Sequence, residues 1–193
     1  YNGANSILLY DVESFTVLGG SGNASLIGLA GDDVLVGNAG NDTLDGRAGN
    51  NALSGGAGDD SFTDTEGSSG SIDGGSGTDF LRLDRIALTQ AANITLDMSG
   101  AGGTSFSLAG TTVTGIEYID LRTGSGDDEL TFVAGTNGQQ RWDANGGNDH
   151  ATVNFSAFDQ GLVTQSLGGR RVMNDNYNGA NSILLYDVES FTV

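Results

Sequence analysis

Asp33, Asp42, Asn51 and Asp60 stand nine residues apart, each five places after a glycine: Gly28, Gly37, Gly46 and Gly55. Their side chains offer oxygen, and the glycine-rich bends around them free backbone carbonyls to turn outward. Carboxylate and carbonyl oxygens gathered at adaptable distances suit Ca2+, whereas Mg2+ demands a near-ideal octahedron. Transition-metal ligands are scarce, because the sequence has one His and no Cys. Paired carboxylates also serve glycoside hydrolysis, yet the close pairs Asp32/Asp33, Asp59/Asp60 and Asp127/Asp128 all sit inside such bends. A ligand role therefore fits them better. His150 has no Ser or Cys partner in a recognisable elbow, and no glycine-rich loop carries the Lys and following helix of a phosphate site. The chain is not expected to be an enzyme.

The elements that position these oxygens repeat with the same beat. From Gly28 the chain reads GLAGDDVLV, GNAGNDTLD, GRAGNNALS and GGAGDDSFT, with Gly first and fourth, Asp or Asn fifth and sixth, and Leu or Phe eighth. Two such blocks make one turn of a solenoid, so the eighth residues Leu35, Leu44, Leu53 and Phe62 point inward and stack as a core. Blocks eighteen residues apart then lie one above another, Asp33 facing the Gly46 block and Asp42 the Gly55 block. Weaker blocks extend the pattern: GGSGNASLI from Gly19, GGSGTDFLR from Gly74, GSGDDEL from Gly124 and GGNDHA from Gly146. Trp142 takes the inward place that Ile72 holds in an earlier block, which favours core packing over sugar stacking.

This pattern resembles the RTX, or hemolysin-type, calcium-binding nonapeptide repeats, whose G-G-x-G-x-D-x-U-x signature marks a parallel β-roll. The resemblance implies bound Ca2+ and a ligand set drawn from the bends: Gly28, Ala30 and Asp33; Gly37, Ala39 and Asp42; Gly46, Ala48 and Asn51; Gly55, Ala57 and Asp60; and, in the weaker blocks, Asp79, Asp128 and Asp149. Asn51 replaces an Asp, so its ion should bind weakly or not at all, and Ala24 cannot ligate. Asp32 and Asp59, at the fifth position, are expected to orient the bend or to lie in solvent. Proteins of the family typically leave bacteria unfolded through type I secretion and fold on meeting external calcium.

Composition agrees with a cation-dependent fold. The formal net charge is −18, and all seven basic residues are Arg. Such an excess opposes compaction by self-repulsion and argues against nucleic acid and anionic lipid as partners. The chain has 33 Gly and no Pro, yet 37% of its residues are hydrophobic, which points to a turn-rich folded chain rather than a linker. No run of about 18 apolar residues suggests a membrane span.

Two longer repeats organise the rest. YNGANSILLYDVESFTV occurs at Tyr1–Val17 and again, unchanged, at Tyr177–Val193. That identity points to one unit of a tandem array followed by the start of the next. More loosely, VESFTVLGGSGNASL from Val12 matches IEYIDLRTGSGDDEL from Ile116, and IDGGSGTD from Ile72 matches WDANGGND from Trp142. The unit therefore reads as two divergent halves, each a roll followed by alternating strands such as ITLDMS, TSFSLAGTTV and SILLYDV. The expected divisions are 1–17, duplicated from the preceding repeat; 18–79, a β-roll; 80–122, strands; 123–149, a shorter roll; and 150–193, strands leading into the next repeat. Tyr1–Leu9, without the strands that would precede them, are expected to be poorly ordered. The fold class is all-β, an elongated parallel β-roll alternating with strand segments.

The function expected is that of a calcium-binding structural repeat in a large extracellular bacterial surface or biofilm adhesin, with neighbouring copies of the same repeat as partners. The alternative is a module that binds polysaccharide, associates with itself between cells, or builds a surface-layer lattice.

Overall fold

The computed structural model describes the chain apart from residues 1–11, 66–69, 101, 136–137, 157–161, 168–169 and 176–181. The expectation for Tyr1–Leu9 falls outside the described residues. Every regular element among them is a strand, and no helix is long and apolar enough to cross a membrane.

The nonapeptides lay down strands on two faces in turn. In chain order these are β1 (Thr16–Leu18), β2 (Ser25–Ile27), β3 (Val34–Ala39), β4 (Thr43–Asp45), β5 (Ala52–Ala57), β6 (Ser61–Asp64), β7 (Gly70–Ser76) and β8 (Phe80–Asp84). Odd-numbered strands pair in parallel in one sheet, even-numbered strands in the other. The register follows the eighteen-residue turn: Leu35 pairs with Leu53 and Leu44 with Phe62. Strand side chains alternate between faces, so these four residues all point between the sheets and are buried. Each such side chain contributes about 1.5–3 kcal/mol by leaving water.

After β8 the chain departs from the nonapeptide beat. It forms β9 (Asn93–Asp97), then an antiparallel hairpin of β10 (Thr104–Leu108) and β11 (Thr111–Ile116), with β11 parallel to β7. β12 (Tyr118–Arg122) returns beside β8. The second half follows as β13 (Glu129–Val133), β14 (Gln139–Asp143), β15 (His150–Asn154), β16 (Leu162–Leu167), β17 (Arg170–Asp175), β18 (Ser182–Tyr186) and β19 (Ser190–Thr192). Three sheets result, ordered β1-β3-β5-β7-β11-β10, β16-β17-β18-β14-β12-β8-β6-β4-β2 and β19-β15-β13-β9.

The two halves repeat each other in pairing as well as in sequence. β11 lies parallel to β7 and antiparallel to β10, as β18 does to β14 and β17. One apolar core runs from Leu35 to Leu185. Trp142 lies wholly inside it, its indole N–H donating to Thr123 Oγ1 at 3.1 Å.

Candidate metal centre

The sixth residue of each block does two jobs with its two terminal atoms. The first joins the turns. On one side of the roll, Asp42 Oδ1 accepts from the Ala24 N–H at 2.6 Å, Asp60 Oδ1 from the Asp42 N–H at 2.7 Å, and Asp79 Oδ1 from the Asp60 N–H at 2.8 Å. On the other side, Asp33 Oδ1 accepts from the Phe15 N–H at 3.0 Å and Asn51 Oδ1 from the Asp33 N–H at 2.9 Å. Asp128 and Asp149 continue the pattern in the second half, accepting from the Ala92 and Asp128 N–H groups.

Each series on the Asp side ends on a longer acid. Glu117 Oε2 accepts from the Asp79 N–H at 2.8 Å, and Glu189 Oε2 from the Asp149 N–H at 2.6 Å. Gln140 takes the acceptor's place beside β12, receiving the Ile119 N–H at 2.6 Å. The nonapeptide pattern gave no hint of Glu117, Gln140 or Glu189. What could have pointed to the two acids is the shared aliphatic-Glu step in VESF and IEYI, aligned in the half-repeat.

The second terminal atom decides what each bend can hold. Oδ2 of Asp42, Asp60, Asp79, Asp128 and Asp149 is buried without a hydrogen-bond partner. Leaving a buried carboxylate oxygen unsatisfied is expensive, and a cation is the compensation such a site calls for. Burial pushes the Asp60 carboxyl up, with Asp42 and Asp59 adding repulsion. Burial likewise raises Asp79 to about 6, helped by Asp60 and Glu117, and Asp149 to about 6, helped by Asp128 and Glu189.

Backbone oxygens converge on the same places. A methyl group on Gly37 would stand 2.6 Å from the Gly55 carbonyl oxygen and 2.8 Å from the Asp42 carboxylate carbon. On Gly55 it would stand 2.7 Å from both the Gly74 carbonyl oxygen and the Asp60 carboxylate carbon. On Gly28 it would stand 2.5 Å from the Gly46 carbonyl oxygen and 2.8 Å from Asp33 Oδ2. The first glycine of the block is thus required for space. Positive φ falls on the fourth position, at Gly40, Gly49 and Gly58, and on the second, at Asn38 (φ 75°), Arg47 (φ 57°) and Gly56. Glycine thus supplies the turn conformation at the fourth position of three blocks.

No three Asp, Glu or His side chains gather among the described residues, so an ion at these bends takes most of its oxygens from the backbone. Such a donor set, one carboxylate with several carbonyls, fits Ca2+. The bends of Asp42, Asp60 and Asp79 present both the free carboxylate oxygen and a convergent carbonyl, and those of Asp128 and Asp149 the free oxygen. Two do not present the same free oxygen. Asp33 Oδ2 already accepts from the Leu29 N–H at 2.7 Å. Asn51 turns its amide nitrogen to the bend, donating to the Gly46 carbonyl at 2.8 Å and more weakly to those of Gly49, Arg47 and Ala48 at 3.4–3.5 Å. The amide group stands where a cation would, and it closes the bend without one.

The fifth-position residues form an outer series. Asp32 Oδ1 accepts from the Asn50 N–H, Asn41 Oδ1 from the Asp59 N–H, and Asp59 Oδ1 from the Thr78 N–H. They fasten neighbouring bends to each other.

Arginine neutralises some of the acid without metal. Asp84, Arg122, Asp143 and Tyr186 lie in register across β8, β12, β14 and β18. Arg122 contacts Asp84 at 3.3 Å and Asp143 at 3.5 Å, while Arg141 contacts Asp143 at 2.8 Å and Asp120 at 2.7 Å and stacks 4.5 Å above the Tyr186 ring. Inside the first half, buried Arg85 meets Asp64 Oδ2 at 2.8 Å and Thr111 Oγ1 at 2.7 Å. His150 sits on β15, with Nδ1 2.7 Å from Ser190 Oγ.

No curated protein matches the chain. A family profile for the RTX calcium-binding nonapeptide repeat matches in four copies, over residues 18–53, 27–62 and 45–68. The orphaned carboxylate oxygens, the parallel roll and this match agree: over residues 18–68 the chain carries RTX calcium-binding nonapeptide repeats, repeats that bind Ca2+.

Proposed function

We propose that this chain is a calcium-dependent structural repeat from the stalk of a large extracellular bacterial surface or biofilm adhesin. Five buried carboxylate oxygens with no protein partner carry the reading. At low calcium these acids repel one another and the bends stay open, which suits export of an unfolded chain by type I secretion. Outside the cell, with calcium near millimolar and a site Kd near 10⁻⁴ M, each ion adds about 1.4 kcal/mol by mass action. Several ions together supply a large part of the roughly 5–15 kcal/mol that holds a domain folded.

The ions belong at the Asp42, Asp60, Asp79, Asp128 and Asp149 bends, with carbonyls of first- and third-position residues such as Gly37, Ala39, Gly55 and Ala57 as further ligands. The Asn51 bend closes on its own amide, and the Asp33 bend binds weakly. Copies of the unit in tandem make an elongated rod that holds a distal binding domain away from the cell. Circular dichroism with and without EGTA, together with calorimetric calcium titration, tests the reading. Loss of the β signal on chelation, its return with Ca2+ and about five ions per chain are expected. A spectrum indifferent to chelation refutes it.

A further inference from the structure

The sequence VESFTV occupies two different places in this molecule. As β1 it is the edge of the six-stranded sheet and, among the described residues, pairs only with β3. As β19 it is the edge of the four-stranded sheet and, among the described residues, pairs only with β15. The two settings draw on different atoms. In the first, the Phe15 carbonyl accepts from the Val34 N–H at 2.9 Å, the Phe15 N–H donates to Asp33 Oδ1 at 3.0 Å, and the Gly19 N–H donates to the Val36 carbonyl at 2.6 Å. In the second, the N–H groups of Glu189 and Ser190 donate to the Asp149 carbonyl at 3.2 and 3.1 Å, and Glu189 Oε2 accepts from the Asp149 N–H. Glu189 and Ser190 are the counterparts of Glu13 and Ser14. No donor or acceptor serves in both sets, so one strand can hold β15 on one edge and β3 on the other.

The chain already contains the completed arrangement. β12, whose approach IEYIDL parallels VESFTV, is flanked by β8 and β14. Its Glu117 and Tyr118 N–H groups donate to the Asp79 carbonyl at 3.1 and 2.9 Å while Glu117 Oε2 accepts from the Asp79 N–H, as Glu189 and Ser190 do with Asp149. On its far edge the Ile119 N–H donates to Gln140 Oε1, as the Phe15 N–H donates to Asp33. The next strand, β13, pairs with β9. In the half-repeat the counterparts of those two strands are β2 and β16, and these are the two outer strands of the nine-stranded sheet.

We propose that the partner of this unit is a second copy of the same sequence, joined through one shared strand. The segment Ser190–Val193 of one copy is Ser14–Val17 of the next, lying between β15 of the first and β3 of the second, while β16 of the first receives β2 of the second. The junction between copies is then built like the junction between halves, with no flexible linker. This rests on the tandem reading above and adds its geometry.

The test is a two-copy chain, residues 1–176 followed by 1–193, carrying Thr152→Cys in the first copy and Val34→Cys in the second. The sequence has no other thiol. Thr152 pairs with Thr192, the counterpart of Thr16, which pairs with Val34. Two strand spacings put the two sites about 10 Å apart. A bis-maleimide of that span should link them in calcium. The control pairs Thr152→Cys with Ser25→Cys of the second copy, in the other sheet, and should link at least tenfold more slowly. Equal rates in a chain whose β signal returns with calcium overturn the shared strand and leave the calcium reading intact. A chain that gains no β structure with calcium overturns both.

Discussion

Asn51 offers the sharpest probe of how these bends close. Asn51→Asp keeps the oxygen that accepts from the Asp33 N–H and replaces the amide donor with a second carboxylate oxygen, 2.8 Å from the Gly46 carbonyl. Without calcium the change removes a hydrogen bond worth about 1 kcal/mol and leaves a charged acceptor buried and unsatisfied for about 1–3 kcal/mol more. The metal-free fold should therefore lose about 2–4 kcal/mol. With calcium the new carboxylate completes the constellation found at Asp42 and Asp60, and one added ion returns about 1.4 kcal/mol when calcium is ten times Kd. Isothermal titration should count one more ion per chain, and the β signal should return more steeply as calcium is added to stripped protein. Unchanged stoichiometry, with an unchanged steepness, would refute the idea that the amide replaces a cation.

The reverse exchange, Asp60→Asn, should remove one ion and favour the metal-free fold by about 1–3 kcal/mol, read by the same titration and by a larger β signal in stripped protein. Gly55→Ala should abolish one site and cost about 1–3 kcal/mol even in calcium, because the methyl meets the Gly74 carbonyl and the Asp60 carboxylate. Gly100→Ala, with nothing within 4 Å of the added carbon, should leave the thermal midpoint nearly unchanged. The raised carboxyls of Asp79 and Asp149 fix the sign of the pH response. Their folded values near 6 exceed the unfolded value of 3.8, so resin-stripped protein draws most stability from these two groups below pH 4. It loses stability as the pH climbs to 6, by at most about 3 kcal/mol per group. Its β signal should recover in part when the pH drops from 7 to 5, whereas calcium affinity should fall over the same interval as protons compete for the same oxygens.

The nonapeptide beat made the first roll legible, because an inward Leu or Phe at every eighth place and a Gly-x-x-Gly-x-Asp bend admit one way of stacking. Leu35, Leu44, Leu53 and Phe62 stand where that spacing puts them. The period-two segments, ITLDMS to SILLYDV, became strands for the same reason of alternating burial. What stayed hidden depends on atoms rather than residue types. Whether Asn51 presents oxygen or nitrogen to its bend is set by the Asp33 N–H one turn away. Glu117 and Glu189 meet Asp79 and Asp149 across sequence separations of 38 and 40, and a repeat of nine carries no record of that distance. The Arg122 and Arg141 brace likewise exists only once four strands are in register.

The bonds running from each sixth-position oxygen to the N–H one turn away make the first roll a ruler graduated in pairs of blocks. Adding or deleting two nonapeptides leaves every remaining link between like neighbours and changes only the count of rungs before Glu117. Adding one would deliver Glu117 and the hairpin behind it to the opposite face, where Asp79 is absent. Length variants of this unit should therefore differ by about eighteen residues at a time, and recombination within its gene is constrained by a hydrogen-bond pattern rather than by the reading frame alone.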